Sequence, residues 1–298
     1  FQTVLLKRCG LKIDGVNIVH LNKNYVRHGK LNVEELFTIA DLTPQAAEIA
    51  DVVTQQMETA KVYLTVEAEP TGPCSCIYKG RSNHCRTFAY SNPQVPEYGV
   101  HDISRIGSSP KKLKEMVDAG IFSLDKVPTH IELSKIQQNQ IRVYNSGDTV
   151  IQKDLIALEF QGLQFPLYFI DYETHLSAIP LFDGWSPNKQ VQFQYALHIV
   201  EAPDKEPVRK DFFHSKMEDP DLAFVTSLQE HIGSNGSIIV WSKAFECILV
   251  NKEITIRRPE YAEFFDDFNN RVYDLEDIFS KQYYVHKNLG GKTSIKKV

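Results

Sequence analysis

No stretch of the 298 residues approaches the roughly 18 consecutive apolar positions that a membrane-spanning helix needs. The first residues also lack the charged, apolar, then small-residue order of a secretory signal. A cytoplasmic protein without a membrane partner is the expectation. An excess of positive charge is missing too, since 33 Lys and Arg stand against 38 Asp and Glu for a formal charge of -5. That balance excludes a protein that coats nucleic acid through bulk charge, and leaves room for an enzyme whose acids gather around cations. Cysteines number five, an odd count that does not suit a disulfide framework in a reducing compartment. Internal repeats and low-complexity tracts are absent.

What is present is a globular composition, 42% apolar and 24% charged, in a chain long enough for two domains. The opening, Phe1-Gln2-Thr3-Val4-Leu5-Leu6, is apolar from its start and reads like a cut within a domain. Residues 16–21 alternate as a strand, and 33–39 suit a short strand or a helical turn. Over 43–60, apolar residues recur at helical spacing behind a Thr-Pro start, which predicts a helix with a threonine cap and a proline in its first turn. Residues 68–98 are rich in Pro, Gly, Ser and Cys and read as a loop pinned by something other than a core. A second helix is expected over 109–119, then short helices and a linker to about Gly162.

Beyond that point the texture changes. Strands are expected at 167–171, 191–200 and 208–214, joined by tight turns, then a helix over 220–232 and a buried strand over 237–241. Three strands, helix, strand and helix is the order of an RNase H-like sheet. Asp171 and Glu173 lie two apart at a strand end, so both carboxylates point to one face. Two like charges in a partly dry site repel unless a cation neutralises them, and hard carboxylate oxygens suit Mg²⁺ or Mn²⁺. Glu246, a turn after the buried strand, and Asp274, opening a helix over 274–279, complete a four-carboxylate set for two-metal phosphoryl transfer. Taken singly, each of these acids has an ordinary alternative: a solvated strand end for Asp171 and Glu173, a surface helix residue for Glu246, an N-cap for Asp274.

The string Phe169-Ile170-Asp171-Tyr172-Glu173-Thr174 is followed by Ala178-Ile179-Pro180 and Gln192-Phe193-Gln194-Tyr195-Ala196-Leu197-His198. Later come Asp219-Pro220, Gly236-Ser237-Ile238-Ile239-Val240-Trp241 with Phe245-Glu246, Tyr273-Asp274-Leu275, Tyr283-Tyr284 and Thr293-Ser294-Ile295-Lys296. Together these resemble a bacterial domain-of-unknown-function family, number 2779, across 163–298. The resemblance implies a RecB-like PD-(D/E)xK nuclease of the CRISPR-adaptation type joined to an RNase H-like DEDD exonuclease-type domain. It implies an α/β fold: a C-terminal mixed sheet flanked by helices, and an N-terminal remnant of a restriction-endonuclease-like domain. The corresponding division is 1–105, a helical linker over 106–162, and 163–298, with the chain truncated at both ends.

By the same resemblance Asp171 and Glu173 form the first exonuclease motif. Glu246 stands where related domains usually carry Asp, and Asp274 matches the aspartate-leucine motif as ligand or as a residue that orients one. The implied activity is metal-dependent hydrolysis of DNA or RNA from the 3′ end. The pattern departs at its close, because no acidic residue follows Asp277 and neither Tyr284 nor His286 matches the general base. That departure sustains a second reading, a catalytically silent nucleic-acid-binding or scaffold module of a defence or repair assembly.

Cys74, Cys76 and Cys85 form a Cys-x-Cys-x8-Cys cluster beside His84. Thiolates on one loop suit zinc or an iron–sulfur cluster, and three free thiols are the plain alternative. The resemblance implies a [4Fe–4S] centre whose fourth cysteine lies far upstream, and it makes Gln2 the helix glutamine of the first nuclease site. Cys9 is a substitute ligand without local support, and Cys247 reads as core. A third reading is a structural zinc site in a non-enzymatic adaptor. His101, Asp102, Arg105, Lys111 and Lys112 are either phosphate contacts or a solvated polar face.

Overall fold

Side-chain alternation organises the second half of the molecule. Along β4 (Leu167–Ser177) the side chains of Tyr168, Ile170 and Tyr172 are buried, whereas Phe169, Asp171 and Glu173 face outward. This is the period-two pattern of a strand with one face on a core. The structure is a computed structural model and describes residues 1–66, 72 and 74–298.

Two strands precede β4 in the first part of the chain. β1 (Asn17–Leu21) pairs antiparallel with β2 (Phe37–Asp41), and a single helical turn, Val33–Leu36, leads into β2. β3 (Val150–Ile151) pairs antiparallel with β9 (Tyr284–Val285). The remaining strands, β5 (Lys189–Val200), β6 (Val208–Phe213), β7 (Ser237–Val240) and β8 (Val272–Asp274), join β4 in a mixed sheet of order β6-β5-β4-β7-β8. β5 runs antiparallel to β4 and β6, while β4, β7 and β8 run parallel. The molecule is therefore mixed α/β with a five-stranded sheet flanked by helices.

The sheet's core face carries Tyr168, Ile170, Tyr172, Tyr195, Leu197, Ile238 and Val240. Phe224, Val225 and Leu228 of the helix Asp221–His231 pack against it, as do Phe265 and Phe268 of the helix Ala262–Asn270. Phe224, Phe265 and Phe268 are fully buried, and truncating any one to alanine costs about 3–5 kcal/mol. A smaller core joins Ile77, Phe88, Val100 and Ile106 to Leu113, Met116, Leu124 and Ile131. It draws residues from both sides of position 105. The first 66 residues bury little: the helices Gln2–Arg8, Thr43–Glu48 and Ala50–Leu64 contain no buried residue.

Several local expectations are corrected. The helix expected over 43–60 is broken at Ile49 into Thr43–Glu48 and Ala50–Leu64. Thr43 does not cap it, because its hydroxyl accepts from the Val16 N–H at 2.9 Å and donates to Asp41. β4 runs to Ser177, six residues past Asp171, so Asp171 and Glu173 lie within the strand and not at its end. The links from β4 to β5 and from β5 to β6 are loops, 178–188 and 201–207, instead of tight turns. Residues 68–71 and 73 of the expected loop lie outside the described residues, and the rest of it holds short turns at Ser75–Tyr78, Arg81–Asn83 and Phe88–Ser91. No helix among the described residues is long and apolar enough to cross a membrane.

Candidate metal centre

Parallel pairing brings the acids to one end of the sheet. Phe169 of β4 aligns with Ile239 of β7, which aligns with Tyr273 of β8. Asp171 lies two residues past Phe169 and Asp274 one past Tyr273, so both lie toward the carboxyl-terminal side of parallel strands that flank β7, where open α/β sheets place their ligands. Asp274 ends β8 and does not open a helix; the helix that follows is Asp277–Ser280. Its Oδ2 accepts from the Lys243 N–H at 2.8 Å and its Oδ1 from the Glu276 N–H at 3.1 Å. Those two bonds fix the carboxylate against the chain leaving β7.

Glu246 follows β7 on a π-helical segment, Ala244–Asn251. Such widened turns recur at functional sites because they re-aim a side chain. Glu246 is 3% exposed, and its Oε2 is buried with no hydrogen-bond partner among the described residues. A charged carboxylate in that position is costly unless something cationic meets it. Burial accordingly pushes its pKa up to about 7, against a hydrogen bond from its own backbone N–H and with the help of the Asp171 and Asp274 charges. The Asp171 carboxyl is also raised, first by burial and then by Glu173.

Tyr172, between the two β4 acids, points into the core and donates its hydroxyl to Asn251 Oδ1 at 3.3 Å. Asn251 in turn donates to Asn269 Oδ1 at 3.0 Å. This buried chain ties β4 to the π-helical segment and sets Asp171 and Glu173 relative to Glu246. Glu173 thus acts on the Asp171 carboxyl, and Asp171 and Asp274 act on that of Glu246. No three of them bring their ligand oxygens within 4.8 Å of one another, the spacing met among the described residues by the cysteine trio. Tyr284 pairs in β9, and His286 Nδ1 accepts from the Asn288 N–H at 3.1 Å, so both have structural duties.

The sulfurs of Cys74, Cys76 and Cys85 all lie within 4.8 Å of one another, and these three residues could hold a metal ion. Asn92 donates to the Cys74 sulfur at 3.4 Å, and a hydrogen bond with the Thr87 side chain lowers the Cys85 pKa toward the thiolate that metals bind. His84 stands apart from the trio: its ring stacks on Phe88 at 3.5 Å and its Nε2 lies 2.9 Å from the Lys79 carbonyl. Cys247 is buried in the sheet's core, as its surroundings in sequence implied, and Cys9 is exposed. Gln2 lies exposed in the first turn of its helix.

The polar candidates near position 100 separate clearly. His101 is buried with its Nε2 2.8 Å from the Ile77 carbonyl, and Asp102 takes a two-pronged contact from Arg81 at 2.6 and 2.7 Å. Lys112 donates to the Glu132 carbonyl. Arg105 remains exposed. Sequence reasoning missed Lys287 and Lys292, which lie near Arg105 around one cleft; their spacing from Arg105 along the chain carries no signal. No curated protein and no solved structure matches the chain. Residues 168–294, the stretch that contains all four acids of the centre, match the family model described as a domain of unknown function, DUF2779.

Proposed function

We propose that residues 163–298 form an RNase H-like, DEDD-type exonuclease domain that hydrolyses phosphodiester bonds of DNA or RNA from the 3′ end. Support comes from the sheet, in which three antiparallel strands are followed, across a helix, by two that run parallel to the first. The observation that carries the reading is Glu246, a buried carboxylate with an unpartnered oxygen whose protonation responds to Asp171 and Asp274. Repelling acids from three separate segments form a costly arrangement that a hard divalent cation relieves.

Asp171, Glu173, Glu246 and Asp274 would hold Mg²⁺ or Mn²⁺, which when bound supplies water activation and charge neutralisation at the phosphate. The chain's own contribution is positional. Lys243 and Glu276 hold Asp274 through their backbone N–H groups, and the Tyr172-Asn251-Asn269 chain holds β4 against the segment bearing Glu246. Asp171 and Glu173, on the outward face of β4, are placed to meet a substrate arriving from solvent. At the cysteine trio we read a [4Fe–4S] cluster or Zn²⁺, which soft thiolates favour, within a RecB-like N-terminal part.

The test is cleavage of 5′-end-labelled DNA and RNA single strands with Mn²⁺ or with EDTA. Shortening from the 3′ end in Mn²⁺ alone is expected, and Asp171→Asn should abolish it while circular dichroism stays unchanged. Undiminished cleavage by Asp171→Asn would place the activity elsewhere. No metal-dependent cleavage by the unaltered protein would leave the silent scaffold.

A further inference from the structure

Beside the acidic centre lies a cleft of about 470 Å³ between the helix Lys135–Ser146 and the segment 284–294. Its charge is lopsided. Arg105, Lys287 and Lys292 line it, and none of these three side chains has a hydrogen bond or ion pair among the described residues. Glu276 is the acid on its wall, and that carboxylate is already engaged by the Thr293 hydroxyl. Arg105 adopts a left-handed backbone, φ 56 and ψ 21, a conformation that costs a non-glycine residue energy and that clusters at ligand sites. Two aromatic rings, Phe279 and Tyr284, also line the cleft, with centroids 5.7 Å apart.

One bond ties the cleft wall to Asp274 and a second ties it to the chain leaving β7. Glu276 donates its backbone N–H to Asp274 at 3.1 Å, and the Thr293 carbonyl accepts from the indole N–H of Trp241, the residue that follows β7, at 3.2 Å. Lys292 also borders a neighbouring groove with Arg105 and another with Lys287 and Lys297, so the cationic surface continues outward. Unpaired cations tracking a groove with aromatic rings in its wall are the elements that hold single-stranded nucleic acid without reading its sequence.

We infer that this cleft binds a single-stranded polynucleotide, phosphates against Arg105, Lys287 and Lys292 and bases against Phe279 and Tyr284, and leads its end to the acidic centre. The last clause rests on the nuclease reading; the binding does not. The experiment is fluorescence anisotropy in EDTA with labelled DNA and RNA strands of about 12 nucleotides, across a salt series. The unaltered protein should bind at least one of the two strands. The double variant Arg105→Ala/Lys292→Ala should bind about tenfold or more weakly, with a log K against log salt slope shallower by about 1.4, two phosphate contacts at about 0.7 each. Lys205→Ala/Lys210→Ala, which removes equal charge elsewhere, should bind as the unaltered protein does. Absence of binding by the unaltered protein, or equal behaviour of the two double variants, overturns the cleft. Cleft-dependent binding without Mn²⁺-dependent cleavage overturns the nuclease reading alone.

Discussion

Arg257 closes on Asp221 with two nitrogens, at 2.7 and 2.9 Å, while its guanidinium carbon lies 3.7 Å from the centre of the Trp185 ring. Asp221 is fully buried, and it also accepts from Gln192. The pair pins the start of the helix Asp221–His231 to the end of the helix Lys252–Arg257, and with it the far end of the segment that carries Glu246. A buried carboxylate deprived of its cation keeps the cost of burial and loses the compensation. Arg257→Ala should therefore destabilise the protein by about 3–5 kcal/mol in urea unfolding. Arg257→Lys should recover only part of that, since an ammonium cannot reproduce a planar two-pronged contact. Full recovery by lysine would show that charge alone matters there.

Glu246 sets a pH dependence whose sign is fixed. Its folded pKa of about 7 lies above the ordinary value of 4.5, so the folded state holds the proton more tightly than the unfolded chain. The stability this contributes is fully present below pH 4.5 and is lost as pH rises through about 7. At about 1.4 kcal/mol per unit the loss is on the order of 3 kcal/mol in the metal-free protein. Glu246→Gln should flatten the stability profile between pH 5 and pH 8, and Mn²⁺ should restore the unaltered protein at the alkaline end. A slope unchanged by Glu246→Gln would assign the titration to another group.

The outward face of β4 was readable because alternation is local: Phe169, Asp171 and Glu173 share a face in sequence and in space. Glu246 was not. A lone glutamate after a strand looks like a solvated helix residue, and its burial comes from a π-helical segment and from neighbours on β4 and β8. Asp274 was misread for a related reason. Asp-Leu-Glu-Asp resembles the acid-rich first turn of a helix, whereas β8 is three residues long and exists through its pairing with β7. The Arg257–Asp221 pair joins residues 36 apart that no periodicity links. Within the first 66 residues, Ile49 interrupts a helix whose apolar spacing continues across the break, because spacing reports a face and not the continuity of the backbone.

The cysteine trio makes a prediction with a readout independent of nuclease activity. Three thiolates around Co²⁺ give sulfur-to-metal charge-transfer absorption in the near ultraviolet, and binding releases protons from the thiols. Titration of the reduced protein should show that band. Cys85→Ser should weaken or abolish it, since Cys85 is the thiol shifted toward ionisation by its bond to Thr87. Cys9→Ser and Cys247→Ser should leave it intact, because one sulfur is exposed outside the trio and the other is buried in the sheet's core. A band that survives Cys85→Ser would mean that the metal binds elsewhere.

Gly291 lets the C-terminal segment fold over the cleft. It adopts φ +71, and a Cβ there would meet the Gln140 side chain and lie 3.0 Å from the backbone carbonyl oxygen of Asp102. Gln140 can swing only by giving up its own bonds, to the Tyr98 hydroxyl at 3.0 Å and to that same Asp102 carbonyl at 2.9 Å. A β-branched residue is therefore excluded both by conformation and by contact. Gly291→Val should cost about 1–3 kcal/mol through backbone strain, with the displaced carbonyl bond adding to it. The segment would lift, carrying Lys292 out of line with Arg105 and releasing the Thr293 carbonyl from Trp241. Near-ultraviolet circular dichroism of the Trp241 indole should change while the far-ultraviolet spectrum does not. Gly291→Ala should show the same effects in weaker form, and a Gly291→Val protein with normal stability and an unchanged tryptophan signal would mean that the segment does not depend on this turn.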